Sequence, residues 1–296
     1  MATDIGWELY RSFLGVLQEG SLSGAARALG VAQPTVGRHI AALEQALKLP
    51  LFTRSQAGLL PTEAALALRS DAEAMASTAA ALQRTASSQG EGVRGTVRVT
   101  ASEIIGVEVL PPILTRLRAR YPDLKIELLL SNRVQDLLHR EADIAVRMLR
   151  PQQELLVARR IGTVELGLHA HQRYLEQHGT PRSLADLAQH ALIGFDTETP
   201  FIRSIGKSLQ GVFKRDNFAL RSDSDLAHWA LIQAGAGIGI CQVALARRKP
   251  ELVRLLPEQA SLPLETWITM HENLRHSPRC RATFDALVEG LQQHIA

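Results

Sequence analysis

Apolar residues recur at helical spacing near the start of the chain, where Trp7, Tyr10, Phe13, Leu14 and Leu17 predict a helix with one buried face. Ser21, Leu22 and Ser23 then precede AARALGV, a short alanine-rich helix that either Ser21 or Ser23 caps. A third helix starts at Gln33-Pro34-Thr35, where proline suits a first turn, and carries the stripe Val36, Ile40, Leu43 and Leu47. Thr35, Arg38 and His39 fall between the stripe positions and are expected to face solvent. Two short helices joined by a turn, the second with polar groups beside its apolar stripe, make a helix-turn-helix, whose second helix can enter a major groove. Residues 49–61, LPLFTRSQAGLLP, predict a small hairpin or wing around Ser55 to Gly58.

From Thr62 the pattern changes. TEAALALRSDAEAMASTAAALQRTASSQ lacks proline and glycine, Thr62 can cap it, and Ala64, Ala65, Leu68, Ala72, Met75, Ala79 and Leu82 supply a narrow face. A helix so rich in small side chains buries little by itself, so it is expected to pack against a copy of itself; a polar spacer helix is the plainer alternative. The stretch Ser87 to Gly92, SSQGEG, predicts a boundary.

After it, strand and helix patterns alternate. VRVTAS, KIELLLS and ADIAVRM predict strands, and VEVLPPILTRLRARYP a helical stretch interrupted near Pro111-Pro112. Residues 134–141 predict a short helix, and LVARRIGTVELGLHA further strands. SLADLAQH, ALIGF, LAHWALIQAGAGIGICQVALA and ATFDALVEGLQQHI continue the alternation. This is the signature of an open α/β sheet covered on both faces. The length of the middle portion favours two lobes with a cleft over one continuous domain.

The chain has 296 residues, 46% hydrophobic and 21% charged, too many for one ordinary compact domain. The formal net charge of +3 permits a polyanionic partner without requiring one. Cys241 and Cys280 are the only cysteines, which excludes a multi-disulfide scaffold or a four-cysteine zinc site and points to a reducing compartment. Asp4 and Glu8 stand where a leader would be basic, and no apolar run reaches the roughly 18 residues of a membrane span. A cytoplasmic protein is the expectation.

The run AARALGVAQPTVGRHIAALEQALKLPLFTR, Ala25 to Arg54, resembles the helix-turn-helix pattern of LysR-type transcriptional regulators. Ala25, Ala26, Leu29, Gln33, Pro34, Val36, Ile40, Leu43, Glu44, Leu47, Leu51, Phe52 and Arg54 agree in order. ARYPDLKIEL, EADIAVRM and AGAGIGICQVALA resemble later blocks of the same family, so the likeness covers essentially the whole chain. Departures are Ala32 and Gly37 where the family has serines, Lys48 in place of a helix-ending glycine, and no second arginine around Gln56 and Ala57. These bear on which DNA sequence is bound.

The resemblance implies an α+β multidomain chain. Residues 1–61 form a winged helix-turn-helix, 62–90 a linker and dimerisation helix, and 91–296 a two-lobed α/β effector-binding domain resembling periplasmic solute-binding proteins. Lobe one takes approximately 91–162 and 268–296, and lobe two approximately 163–267. The implied partners are double-stranded DNA, a small-molecule effector, further copies of the chain as homodimer or homotetramer, and RNA polymerase, with no membrane. No cofactor, metal or catalysis is expected.

Residues 1–60 hold five basic side chains against four acidic ones, so placement rather than bulk charge must serve DNA binding. Gln33, Thr35, Arg38 and His39 are the groove candidates, Thr35 and Arg38 toward bases and Gln33 toward either bases or backbone. Arg54 near the wing is the expected phosphate clamp. Ligands of open α/β sheets lie beyond the carboxyl ends of strands. There Thr100 and Ser102 match the family's effector-binding strand end, with Ser131, Asn132, Arg147, Phe195, Thr199 and Asp223 around them. Arg147 suits a ligand carboxylate, although Glu103 and Asp223 offer it competing partners or select a ligand amine. Asp223 and Ser224 equally read as helix caps.

Gly235, Gly237 and Gly239 are spaced like a nucleotide-binding loop, but no strand precedes them. The histidines, His169 and His171 among them, read as scattered or surface groups and complete no metal pattern. Two other functions compete: a ligand-sensing protein whose helix-turn-helix mediates protein contact, and a redox sensor built on Cys241 and on Cys280, which Arg279 and Arg281 flank.

Overall fold

The computed structural model describes residues 5–55, 58–86, 92–132, 142–148, 150 and 156–295. The chain divides into two compact units, one ending at Ser87 and one formed by Ser88–Val134 and Ala142–Ala296. The expected helix at 134–141, boundary residues 87–91 and the hairpin tip at 56–57 lie outside the described residues.

In the amino-terminal unit, α1 (Trp7–Glu19), α2 (Leu22–Leu29) and α3 (Gln33–Leu47) enclose a core of Phe13, Val16, Ala25, Val36, Leu43 and Leu51. Ser21 caps α2, its Oγ accepting from the Gly24 N–H at 3.1 Å. α3 has proline in its first turn and ends at Lys48, which adopts the left-handed conformation (φ 57°) that glycine usually fills. Strands β1 (Phe52–Ser55) and β2 (Gly58–Pro61) pair antiparallel, with Phe52 opposite Pro61. Glu44 fixes how the chain enters this wing: its Oε1 accepts from the N–H groups of Leu51 at 2.7 Å and Phe52 at 3.2 Å.

Helix α4 (Glu63–Ala86) runs 24 residues, about 36 Å at the usual rise. Thr62 caps it through the Ala65 N–H at 3.2 Å. The narrow face expected along α4 is divided. Ala65 and Ala72 are buried in the unit's own core with Leu68 and Ala76 against it, whereas Leu66, Met75 and Leu82 are exposed.

The carboxy-terminal unit opens with β3 (Gly95–Ala101), α5 (Glu103–Glu108) and α6 (Leu110–Arg120), the last two separated at Val109, with Pro111 and Pro112 at the start of α6. β4 (Leu124–Leu130) and β5 (Ile144–Arg147) flank β3, both parallel to it. β6 (Leu156–His171) is a single strand of 16 residues where several were expected. It pairs antiparallel with β11 (Ser261–His271). The register shifts so that Thr266 opposes Gly162 and Trp267 opposes Arg160, leaving Ile161 as the extra residue of a bulge. The β6–β11 ladder continues on both sides of that bulge.

Between β6 and β11 the chain forms α7 (Gln172–His178), β7 (Leu192–Gly194), α8 (Pro200–Ser208), β8 (Phe218–Arg221), α9 (Asp225–Gln233), β9 (Gly239–Gln242), α10 (Val243–Ala246) and β10 (Leu252–Leu255). The large sheet runs β10-β6-β11-β5-β3-β4, with β9 also on β6, and β7 pairs with β8 separately. Helix α11 (Pro278–Ile295) returns to the first half. Two cores result. One gathers Val97, Val99, Ile144, Ile268, Leu287 and Leu291, the other Leu168, Leu187, Leu192, Leu209 and Ile238. Strands β6 and β11 contribute to both.

The glycine-rich turn follows α9. A Cβ at Gly237 would stand 2.3 Å from the Ala191 carbonyl oxygen, so glycine there serves close backbone packing.

Candidate functional site

Each unit presents a separate constellation. In the amino-terminal unit, packing of Val36, Ile40 and Leu43 turns the opposite edge of α3 to solvent. Gln33 and Arg38 are exposed and Thr35 is half-buried; an Arg38 Nη2–H lies at 3.5 Å from Thr35 Oγ1, a contact too long to hold the guanidinium. Arg54 is exposed on β1 of the wing. His39 departs from the groove set. Its Nδ1 lies 2.8 Å from Oγ of Ser12, a residue of α1 that is only 3% exposed, so the half-buried imidazole is tied to α1. The reason is geometric: position 39 adjoins the buried Ile40 and lies against the Ser12 hydroxyl of α1.

In the carboxy-terminal unit the parallel strands β3, β4 and β5 end together. Arg147 Nη2 donates to Thr100 Oγ1 at 2.7 Å, and Nη1 donates to its neighbour's carbonyl, Val146 O, at 3.1 Å. Both side chains are buried. Ser102 stands at the start of α5 without capping it, and its hydroxyl oxygen is buried with no hydrogen-bond partner. A buried polar atom left unpaired carries a desolvation penalty, which a bound group can remove. The Ser131 N–H donates to Ala101 O at 3.0 Å, and the Glu103 N–H to Asn132 Oδ1 at 3.1 Å, so the two strand ends are stitched together.

α9 packs beside this edge, its Trp229 and Ile232 buried in the same core as Val99 and Ile105. Ser224 Oγ donates to Glu103 Oε2 at 3.0 Å. Asp225 sits beside it, its carboxyl held above the usual range by burial and by Glu103, against lowering by His228 and by a hydrogen bond from Asn132. His228 is buried, its Nε2 3.0 Å from Gly194 O and 2.8 Å from Ser222 O, so that nitrogen carries a proton. The Phe195 ring stands edge-on to it, centroids 4.4 Å apart. Thr100, Ser102, Glu103, Asn132 and Arg147 at the strand ends thus adjoin Ser224, Asp225, His228 and Phe195 around the start of α9.

Two expected ligand contacts lie elsewhere. Thr199 is exposed and caps α8, accepting from the Ile202 N–H at 3.2 Å. Asp223 neither caps α9 nor meets Arg147. It accepts from the Thr197 hydroxyl at 2.7 Å and from the N–H groups of Thr197 and Asp196, which together lower its carboxyl below the usual range. Asp225 was missed: an acidic residue opening the apolar run LAHWALI was the available signal, because a charge beside such a run is either exposed or has a purpose.

The reading of His169 as a scattered or surface group is corrected, whereas Cys241 packs in the core as a small apolar residue. His169 is buried at 2% exposure, 3.3 Å from Cys241 Sγ and 3.0 Å from Gly167 O, and burial pushes it down to about 4. His171 accepts from the Arg173 N–H. Burial pushes the Cys241 thiol up to about 12. Cys280 is fully buried, and Arg279 directs its Nε to Thr96 O. The Cys241 environment disfavours the thiolate that oxidation requires. No helix among the described residues is long and apolar enough to cross a membrane.

Comparison with known proteins bears on both units. Residues 7–66 match the family described as bacterial regulatory helix-turn-helix protein, lysR family, and residues 90–292 match the LysR substrate binding domain. An HTH-type transcriptional regulator of Xanthomonas campestris is 29% identical over 60% of this chain, the match spanning 52% of that protein. An uncharacterised HTH-type regulator of Haemophilus influenzae is 25% identical over 90% of this chain and 93% of its own. The solved structure of CrgA, a LysR-type transcriptional regulator from Neisseria meningitidis, is 26% identical, with a TM-score of 0.59 over 96% of this chain and 98% of that one.

Proposed function

The chain belongs to the LysR family of DNA-binding transcriptional regulators with an effector-binding domain, and from that premise we propose which residues read DNA, which receive the effector and what the effector is. Gln33, Thr35 and Arg38 enter the major groove, and Arg54 clamps a phosphate from the wing. The observation that supports this is the outer edge of α3, where Gln33 and Arg38 are exposed and Thr35 is half-buried, while Val36, Ile40 and Leu43 are buried and the half-buried His39 is tied to Ser12.

One recognition helix with little neutralising charge needs a second copy for useful affinity. The exposed Leu66, Met75 and Leu82 of α4 favour a homodimer through that helix, and a dimer of dimers makes the tetramer. Thr100, Ser102, Ser131, Asn132, Arg147 and Phe195 receive a small organic anion in the carboxy-terminal unit. Its binding changes the placement of the lobes and thereby the spacing of the DNA readers, altering how the bound complex meets RNA polymerase.

Selection of genomic fragments by the purified protein tests the reading, with an Arg38→Ala, Arg54→Ala variant as control. The expected result is a paired motif that the variant fails to enrich. Absence of enrichment at low salt, with and without small carboxylates, would overturn it in favour of a protein-contact role for the helix-turn-helix.

A further inference from the structure

We propose that the effector is amphoteric, carrying a protonated amine as well as its anionic group, with the amine seated between Glu103 and Asp225. This rests on the cleft assigned above as the effector site and adds the second half of the ligand. Two carboxylates, Glu103 and Asp225, come together where α5 and the start of α9 meet. Their partners among the described residues are neutral: the Ser224 hydroxyl on Glu103 and the Asn132 amide on Asp225. Neither carboxylate forms an ion pair there. The Nε2–H of His228, close by, is spent on the carbonyl oxygens of Gly194 and Ser222.

Two acidic groups side by side in a partly dehydrated site repel. An ammonium removes that repulsion and offers three donors to the carboxylates. The independent sign of a ligand is Ser102, whose buried hydroxyl lacks a partner and which lies in sequence between the Thr100–Arg147 pair and Glu103. An anionic group received by Arg147 and Ser102 and an amine received by Glu103 and Asp225 would occupy adjoining parts of one cleft. A hard divalent cation fits less well, since it wants six or more oxygens and Asn132 Oδ1 already accepts from the Glu103 N–H.

The test is calorimetric binding to the full-length protein of α- and ω-amino acids, set against carboxylates of the same carbon skeleton without nitrogen. Proteins compared are the natural chain, Glu103→Gln, Asp225→Asn and a Ser102→Trp variant that fills the cleft. The expected result is that an amino acid binds at least about tenfold more tightly than its nitrogen-free counterpart, and that Glu103→Gln or Asp225→Asn closes the gap. Should Asp225→Asn fail to fold, Glu103→Gln carries the test, because Glu103 is only half-buried. If the plain carboxylates bind equally well and Ser102→Trp abolishes it, the effector cleft stands and the amine site is overturned. If no member of either series binds, or binding survives Ser102→Trp, both readings fall. Competition by calcium or magnesium ions, lost in Glu103→Gln, would reassign the carboxylates to a cation and overturn the proposal.

Discussion

His39 of the third helix and Ser12 of the first lie 2.8 Å apart, ring Nδ1 to hydroxyl Oγ, and this contact separates two residues that are neighbours in sequence: Arg38 faces out while His39 is bound within the domain. Their substitutions should therefore fail in different ways. His39→Ala leaves the buried Ser12 hydroxyl unpaired and is expected to cost about 1–3 kcal/mol in urea unfolding while the selected DNA motif stays the same. Arg38→Ala should leave stability within about 0.5 kcal/mol and relax the motif. A motif that changes with His39→Ala would return that residue to the groove.

Helix α3 carries two residues its geometry does not require. A Cβ at Gly37 meets only Leu22 Cδ1, at 3.7 Å, so Gly37→Ala should stabilise the unit by about 0.5–1 kcal/mol. Lys48 holds a left-handed conformation that suits glycine, so Lys48→Gly should add about 1 kcal/mol. The sites are about 16 Å apart along the helix, and the double variant should be additive in a denaturant series.

Thr100 supplies the acceptor for Arg147 Nη2 at 2.7 Å inside the cleft wall. Thr100→Val keeps the shape and removes that acceptor, which should lower stability by about 1–3 kcal/mol. Thr100→Ser, which restores the hydroxyl, should recover most of it. A Thr100→Val protein as stable as the natural chain would show that the hydrogen bond does not set the cost.

His294 joins two partners in its neutral form: Nδ1 accepts from Arg248 Nη2 at 2.7 Å and Nε2–H donates to Gln242 Oε1 at 3.1 Å. Burial, then Arg248, pushes it from 6.5 down to about 4. The unfolded chain takes up this proton first, so the stabilisation is complete above the ordinary value and is lost as pH falls from 6.5 toward about 4. His169, also near 4, acts in the same direction. His294→Gln, which can both donate and accept, should flatten part of the slope in thermal unfolding across that window; an unchanged slope would refute the assignment.

Both cysteines should be silent in the native state. With the Cys241 thiol pushed up to about 12 and Cys280 fully buried, an aromatic disulfide reagent should titrate neither until denaturant is added, and both thereafter. One rapidly reacting native thiol would revive a redox role.

The reader domain was legible because its information is local. Helical spacing from Trp7 to Leu47, the Ser21 and Thr62 caps and the proline at the start of α3 are all satisfied within a few residues of where they occur. The orientation of His39 was not, because it depends on a hydroxyl 27 residues away. Likewise, VRVTAS and ADIAVR announce strands, but only their adjacency puts Thr100 against Arg147, 47 residues apart. Asp223 and Asp225 show the limit most plainly: two residues apart at the start of one helix, one is taken by Thr197 and the other turned toward Glu103.

By itself, then, the sequence determined the elements, the two-unit organisation and the family, because periodicity, capping and turn chemistry act over a few residues. The tertiary structure alone decided which polar side chains are spent within the protein and which are left to meet DNA or a ligand. That choice depends on partners brought close by strand pairing and lobe packing, such as Ser224 on Glu103 across 121 positions of the chain.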